Sequence, residues 1–177
     1  VKRFIILALI FSVVASGAGL LQARAQETMP MTEAHIARIR ANCVDAQSTL
    51  SQLHASDALL RVNRGRLYES ISTQLMVPFN SRVSINQLDG AKLVAISTTY
   101  EAQLASFRAN YKLYEEAMSQ ALRINCTNEP VAFYDQVNSA HTKRQKVHDN
   151  TLSLHKTIGE YKAAFETFAA QIEGDTE

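Results

Sequence analysis

Between Ala91 and Cys126 apolar side chains fall at Leu93, Ile96, Tyr100, Leu104, Phe107, Tyr111, Tyr114, Met118 and Ala121. Steps of three and four place them on one face of a helix, the stripe that seats a helix against its neighbours. Helical patterns lie on both sides of it, so this stretch reads as the middle helix of an up-down-up bundle. The four-four step through Ile96, Tyr100 and Leu104 locally unwinds a strict heptad.

Upstream, Ile36, Ile39, Cys43, Ala46, Leu50, Leu53, Leu60, Leu67 and Ile71 follow an a/d heptad whose skipped a positions are Asp57 and Arg64. Pro30 bars helix before it, Thr32 is placed to cap it, and Met31 and Ile36 are spaced as a hydrophobic staple. Gly65 should weaken or bend the helix at a cost of roughly 1 kcal/mol relative to alanine. Pro78 is expected to end the run, because it lacks a donor and turns Val77 away from helix. Residues 78–83 then form the first turn. Ser84 and Gln87 make a capping box and Val83 and Leu88 a staple for the next helix, whose alternative start lies just after Asp89.

Downstream, Cys126 to Glu129 form the second turn, with Thr127 or Asn128 as cap and Pro130 in the first helical turn, where its missing amide does no harm. Val137, Ala140, Val147, Leu154, Ile158, Tyr161, Phe165, Phe168 and Ile172 then alternate by three and four. Arg144 and Thr151 are the polar members of that row, and Gly174 stops it. The expected fold is all-α: an elongated antiparallel three-helix bundle with coiled-coil-like packing over residues 32–173, with helices near 33–77, 85–125 and 130–173. Helices of some 40 residues make a rod of roughly 60 Å.

The N-terminal segment changes how composition is read. Lys2 and Arg3 precede an apolar stretch from Phe4 to Leu21, and Ala23-Arg24-Ala25 suits signal peptidase, so residues 1–25 are expected to be a signal peptide. An uncleaved membrane anchor is the competing reading. In both cases the body lies outside the cytoplasm, secreted, periplasmic or on the outer face of the membrane, with membrane contact only through residues 4–21 if these are retained. Residues 26–31 are expected to be a flexible linker and 174–177 a disordered tail. Removing residues 1–25 takes away three basic side chains and no acid, turning the formal charge of +1 into about −2. That disfavours nucleic acid as a partner, although Arg61, Arg64 and Arg66 cluster on the first helix and Lys143 to Lys146 on the last. Without aromatics other than Tyr68 close by in sequence, these read as solvated helix faces.

If the chain folds back near Pro78, Cys43 and Cys126 lie at similar distances from the turn and should form a disulfide. No C-x-x-C motif points to redox exchange. The sequon Asn125-Cys126-Thr127 overlaps that bridge. With the bridge as a ruler, Asp57 lies level with about Lys112 and with Arg144 or Gln145, making Asp57 and Arg144 a candidate interior ion pair that sets register.

Candidate chemistry is sparse. His141, His148 and His155 repeat every seven residues, so neighbours stand roughly 10 Å apart and cannot share one zinc ion. A divalent-metal site would need His54 and Asp57 to meet His141 or His148 from across the bundle. The same histidines are candidate pH sensors beside Lys143, Arg144 and Lys146. The row Tyr100, Phe107, Tyr111 and Tyr114 is core or the lining of a ligand cleft. No nucleophile elbow, zinc-protease helix or phosphate-binding loop is present. No catalytic residue and no cofactor is therefore expected. The pattern points to a non-enzymatic structural or interaction module of the cell envelope, whose partner is another envelope protein or a second copy. An extracytoplasmic metal- or small-ligand-binding protein is the alternative.

Overall fold

The structure, a computed structural model, describes residues 31–174. The expected leader at 1–25, residues 26–30 of the linker and residues 175–177 of the tail lie outside the described residues. The described residues are all-helical: α1 (Glu33–Ala41), α2 (Cys43–Ser70), a π-helical turn (Ile71–Met76), α3 (Val77–Ile85), α4 (Ala91–Arg123) and α5 (Pro130–Gly174). No helix among them is long and apolar enough to cross a membrane.

The first helical arm, α1 to α3, departs from expectation at Pro78. Thr32 caps α1 through a bond from the His35 amide, but the helix pinches at Asn42, whose side chain donates to the Arg38 carbonyl at 2.8 Å. Gly65 lies within an unbroken α2. Pro78 does not end the helix. The turn before it widens instead, with the Val77 amide bonding the Ser72 carbonyl five residues back. Widening relieves the clash that a proline ring makes with the carbonyl four residues earlier, so helix continues to Ile85.

The first turn therefore falls at Asn86 to Gly90, eight residues later than the proline suggested, and no capping box forms at Ser84. Leu88 and Gln87 donate to the carbonyls of Val83 and Ser84 at 3.1 and 3.0 Å. This is a Schellman stop, with Gln87 at φ 58° in the position glycine usually takes. Gly90 is required by space, since a Cβ there would stand 2.6 Å from Val83 Cγ1. Helix α4 starts at Ala91, as the alternative reading placed it, and Asp89 Oδ1 accepts from the Ala91 amide. In the second turn Asn125 Oδ1 accepts from the amides of Thr127 and Asn128 at 3.1 Å, bracing the turn ahead of α5.

Helix α4 carries the core. Of its nine predicted stripe positions all are buried except Ile96, which is half-buried. Its main partner is α5, with the first arm laid alongside. Four apolar clusters follow one another along the helices. Cys43, Cys126 and Phe133 pack at one end; next come Tyr111, Tyr114, Met118 and Ala140. Tyr68, Met76, Tyr100, Leu104, Phe107 and Leu154 form the largest group, and Val83, Leu93, Ala164 and Phe168 close the far end. Cys43 and Cys126 are joined by a disulfide, with Cα atoms 5.5 Å apart.

The first-arm heptad breaks at Leu60 and Leu67, while Ile71 again packs against the central cluster. Leu60 and Leu67, expected in the core, are 45 % and 56 % exposed, and Tyr68, Ser72 and Met76 are buried instead. Past Asp57 the inward face advances by near-four steps through small Gly65, and the π turn carries it on to Val83. On α5 Phe165 and Ile172 are exposed, while Phe133, Thr157 and Ala164 are buried.

Candidate functional site

The sequence-flagged polar residues lead to a cleft of about 250 Å³ between the first arm and α5, with α4 as its floor. Helix α2 presents Asp57, Leu60, Arg61 and Arg64, whose spacing keeps them on one side of the helix. Helix α5 faces them with His141, Arg144 and His148, and Phe107, Tyr111 and Tyr114 of α4 lie between. Of the expected row, Phe107, Tyr111 and Tyr114 are both core and cleft lining, and Tyr100 belongs to the core alone.

Asp57 is the organising group. It is buried and takes a two-point bond from Arg144, Nε to Oδ2 at 2.6 Å and Nη2 to Oδ1 at 3.0 Å. Tyr114 OH donates to Oδ2 at 2.7 Å. Burial pushes the Asp57 carboxyl up, but the bonds from Arg144 and Tyr114 and the charges of Arg144 and His54 outweigh it and hold the group below the usual carboxylate range. Its bond to Asp57 raises Arg144 in turn. Burial and the bond to Asp57 push the Tyr114 hydroxyl far up, so it stays a donor. Asp57 is a filled acceptor, unsuited to general acid or base work.

A second polar chain runs beneath. The Arg61 guanidinium sits 4.7 Å from the Tyr111 ring centroid. Tyr111 OH donates to Glu115 Oε2 at 3.0 Å, and the other Glu115 oxygen meets His54 Nε2 at 2.5 Å. Burial, followed by the bond to Glu115, raises the Tyr111 hydroxyl strongly. Within the cleft Arg144 matches Asp57, and among the described residues no other carboxylate lines it, so Arg61 and Arg64 leave it net positive. Such a surface attracts anions and planar groups.

The candidate metal set is not assembled. Both Asp57 oxygens are taken by Arg144 and Tyr114, and His54 is turned to Glu115. Among the described residues no three His, Cys, Asp or Glu side chains gather to hold a metal ion. The histidine row also divides. His141, bonded to Gln145 at 3.1 Å, and His148 line the cleft, whereas His155 meets Tyr68 OH at 2.9 Å. Tyr68 in turn accepts, at its carbonyl, the Tyr100 hydroxyl at 2.8 Å.

Sequence reasoning did not reach Arg61 over Tyr111, Tyr114 on Asp57, the His54–Glu115 pair, or the buried Ser72 hydroxyl donating to Glu101. Each joins α2 or the π turn to α4 across a separation that local spacing does not encode. The one available signal was the tyrosine row, which sits opposite arginines only after the helices pack. Comparison with protein-family models, curated proteins and solved structures finds no match for this chain, so the functional reading rests on the chemistry of the site.

Proposed function

We propose that the chain is a non-enzymatic interaction module of the cell envelope: an elongated antiparallel three-helix bundle, up-down-up, held outside the cytoplasm and engaging another protein. The observation that carries this reading is the uncovered pair Leu60 and Leu67, 45 % and 56 % exposed, seven residues apart where a heptad would bury them. With Leu59, 65 % exposed, they leave an apolar strip flanked by Arg61, Arg64 and Arg66. The occupant that suits it is an amphipathic helix with an apolar spine and acidic flanks. A second copy suits it less, because a two-fold contact would set this basic strip against itself. An extracytoplasmic location is compatible with the Cys43–Cys126 disulfide.

Native mass spectrometry of the protein recovered from its host's envelope, without chelator or reductant, tests this, with a Leu60→Ser/Leu67→Ser double variant alongside. Both side chains are exposed, so the variant keeps the fold. The expected result is a second, acidic chain bound to the wild type and depleted about tenfold or more in the variant, roughly the loss of two apolar anchors. A bare wild-type monomer, or equal retention by the variant, overturns the reading.

The net positive cleft over Tyr111 favours a second reading, a binding protein for a small anionic ligand rather than for a metal. A monomer carrying a small anionic mass in the same spectra, lost on Arg61→Gln/Arg64→Gln and kept on Arg82→Gln, would select it.

A further inference from the structure

A second groove lies farther along the arm, of about 540 Å³, between the π turn with α3 on one side and α5 on the other. We infer that it binds one free long-chain carboxylate, with the alkyl chain along the groove and the carboxylate at Arg82.

The walls are apolar. Ile71, Leu75 and Phe79 face Ile158, Tyr161 and Phe165, and Leu75 and Phe165 are 61 % and 41 % exposed. Two of the polar groups along it are turned to protein partners: Tyr161 OH donates to Asn80 Oδ1 at 2.8 Å, and Gln74 Oε1 accepts from Ser70 Oγ at 2.9 Å. The groove thus asks few hydrogen bonds of an occupant, which suits an alkyl chain better than an added strand. The volume lies within the range of small-molecule sites, and the π turn that opens this wall is a feature found often at functional positions.

Charge selects the headgroup. Arg82 and Lys162 are the cations lining the groove, and among the described residues no carboxylate lines it. Lys162 reaches Glu166 at 3.5 Å, which leaves Arg82 to meet an anion. Arg82 stands eleven residues beyond Ile71, roughly 16 Å along the helix axis, so the positive charge marks one end of a linear apolar trough. A partner helix with acidic flanks would call for cations along both edges.

Isothermal titration with saturated carboxylates from octanoate to palmitate, below their micelle concentrations, tests the proposal on the wild-type chain and on Arg82→Gln and Leu75→Ser. Both side chains are outside the core, and circular dichroism checks the fold. One ligand per chain is expected, with affinity rising two- to about fourfold per methylene until the groove is filled. Arg82→Gln should weaken carboxylates about tenfold and leave the fatty alcohol of equal length unchanged, whereas Leu75→Ser should weaken both. Several ligands per chain, affinity indifferent to chain length, or carboxylate binding untouched by Arg82→Gln overturns it. So does absence of carboxylate binding alongside dimerisation or vesicle adsorption that Leu75→Ser abolishes, which would give the groove to a second copy or a membrane surface.

Discussion

Removing Arg144 should reverse the sign with which Asp57 acts on stability. In the wild type the carboxylate is buried and accepts three bonds, two from Arg144 and one from Tyr114. Arg144→Met keeps much of the side chain's apolar reach and strands the charge. Breaking a fully buried pair costs about 3–5 kcal/mol, and an exposed pair contributes about 1 kcal/mol or less. The Asp57 side chain is 11 % exposed and that of Arg144 48 %, so the expected loss lies between these limits, about 2 kcal/mol at pH 7. Adding Asp57→Asn to Arg144→Met should recover most of it, because the amide removes the stranded charge and still accepts from Tyr114. The pH dependence follows from the depressed carboxyl. Its stabilisation is fully present above the ordinary Asp value and is lost as pH falls through the lower folded-state value. In Arg144→Met the carboxyl loses the bond and the charge of Arg144 that oppose burial, the folded-state value rises, and the variant loses less stability than the wild type as pH falls. Urea unfolding of wild type, both single variants and the double variant at pH 7, 5 and 3.5, followed by helical circular dichroism, completes the cycle. Equal costs of Asp57→Asn with and without Arg144, or parallel pH slopes for wild type and Arg144→Met, would refute the reasoning.

The Cys43–Cys126 bond closes a separation of 83 residues, so Cys43→Ala/Cys126→Ala should cost about 4.5 kcal/mol on the chain-entropy account, with a larger guanidinium m-value from a more expanded unfolded state. A loss below about 1 kcal/mol would contradict that account. Gln87→Gly should raise stability by roughly 1 kcal/mol, because the left-handed φ of 58° costs an L side chain about that much; thermal melting checks it. Two glycine-to-alanine changes should act in opposite directions in the same assay. Gly65→Ala, with nothing within 4 Å of the new carbon, gains about 1 kcal/mol, and Gly90→Ala, which meets Val83, loses about 1–3 kcal/mol.

The exposed leucines and the cleft have a common origin in the packing of the first arm. Helix α5 lies against α4 over most of its length, while the arm meets α4 chiefly through α2 and the π turn. The arm and α5 are left apart where Leu60, Arg64 and Arg144 face the gap. Ionic and aromatic groups then fill positions that a tight three-helix seam would give to leucine.

Much of the helical pattern was written in the sequence. The α4 stripe, the start of α5 at Pro130 and the level of Asp57 with Arg144 follow from a 3.6-residue period and a constant rise, both local properties of the backbone. Two cysteines at matching distances from a turn are legible for the same reason. Tertiary structure decided what depends on the neighbour. Pro78 remains within helix because the buried neighbours Met76 and Val83 hold the arm on α4 while a widened turn absorbs the ring. Leu60 and Leu67 are left out because Tyr68 and Met76 take the inward places. Asp57 carries a charge in the interior only because Tyr114 and Arg144, 57 and 87 residues away, arrive with donors. Periodicity selects the face a helix buries, but which side chains meet across the gap depends on helix rotation and spacing, and these are set by the packing of all the faces together.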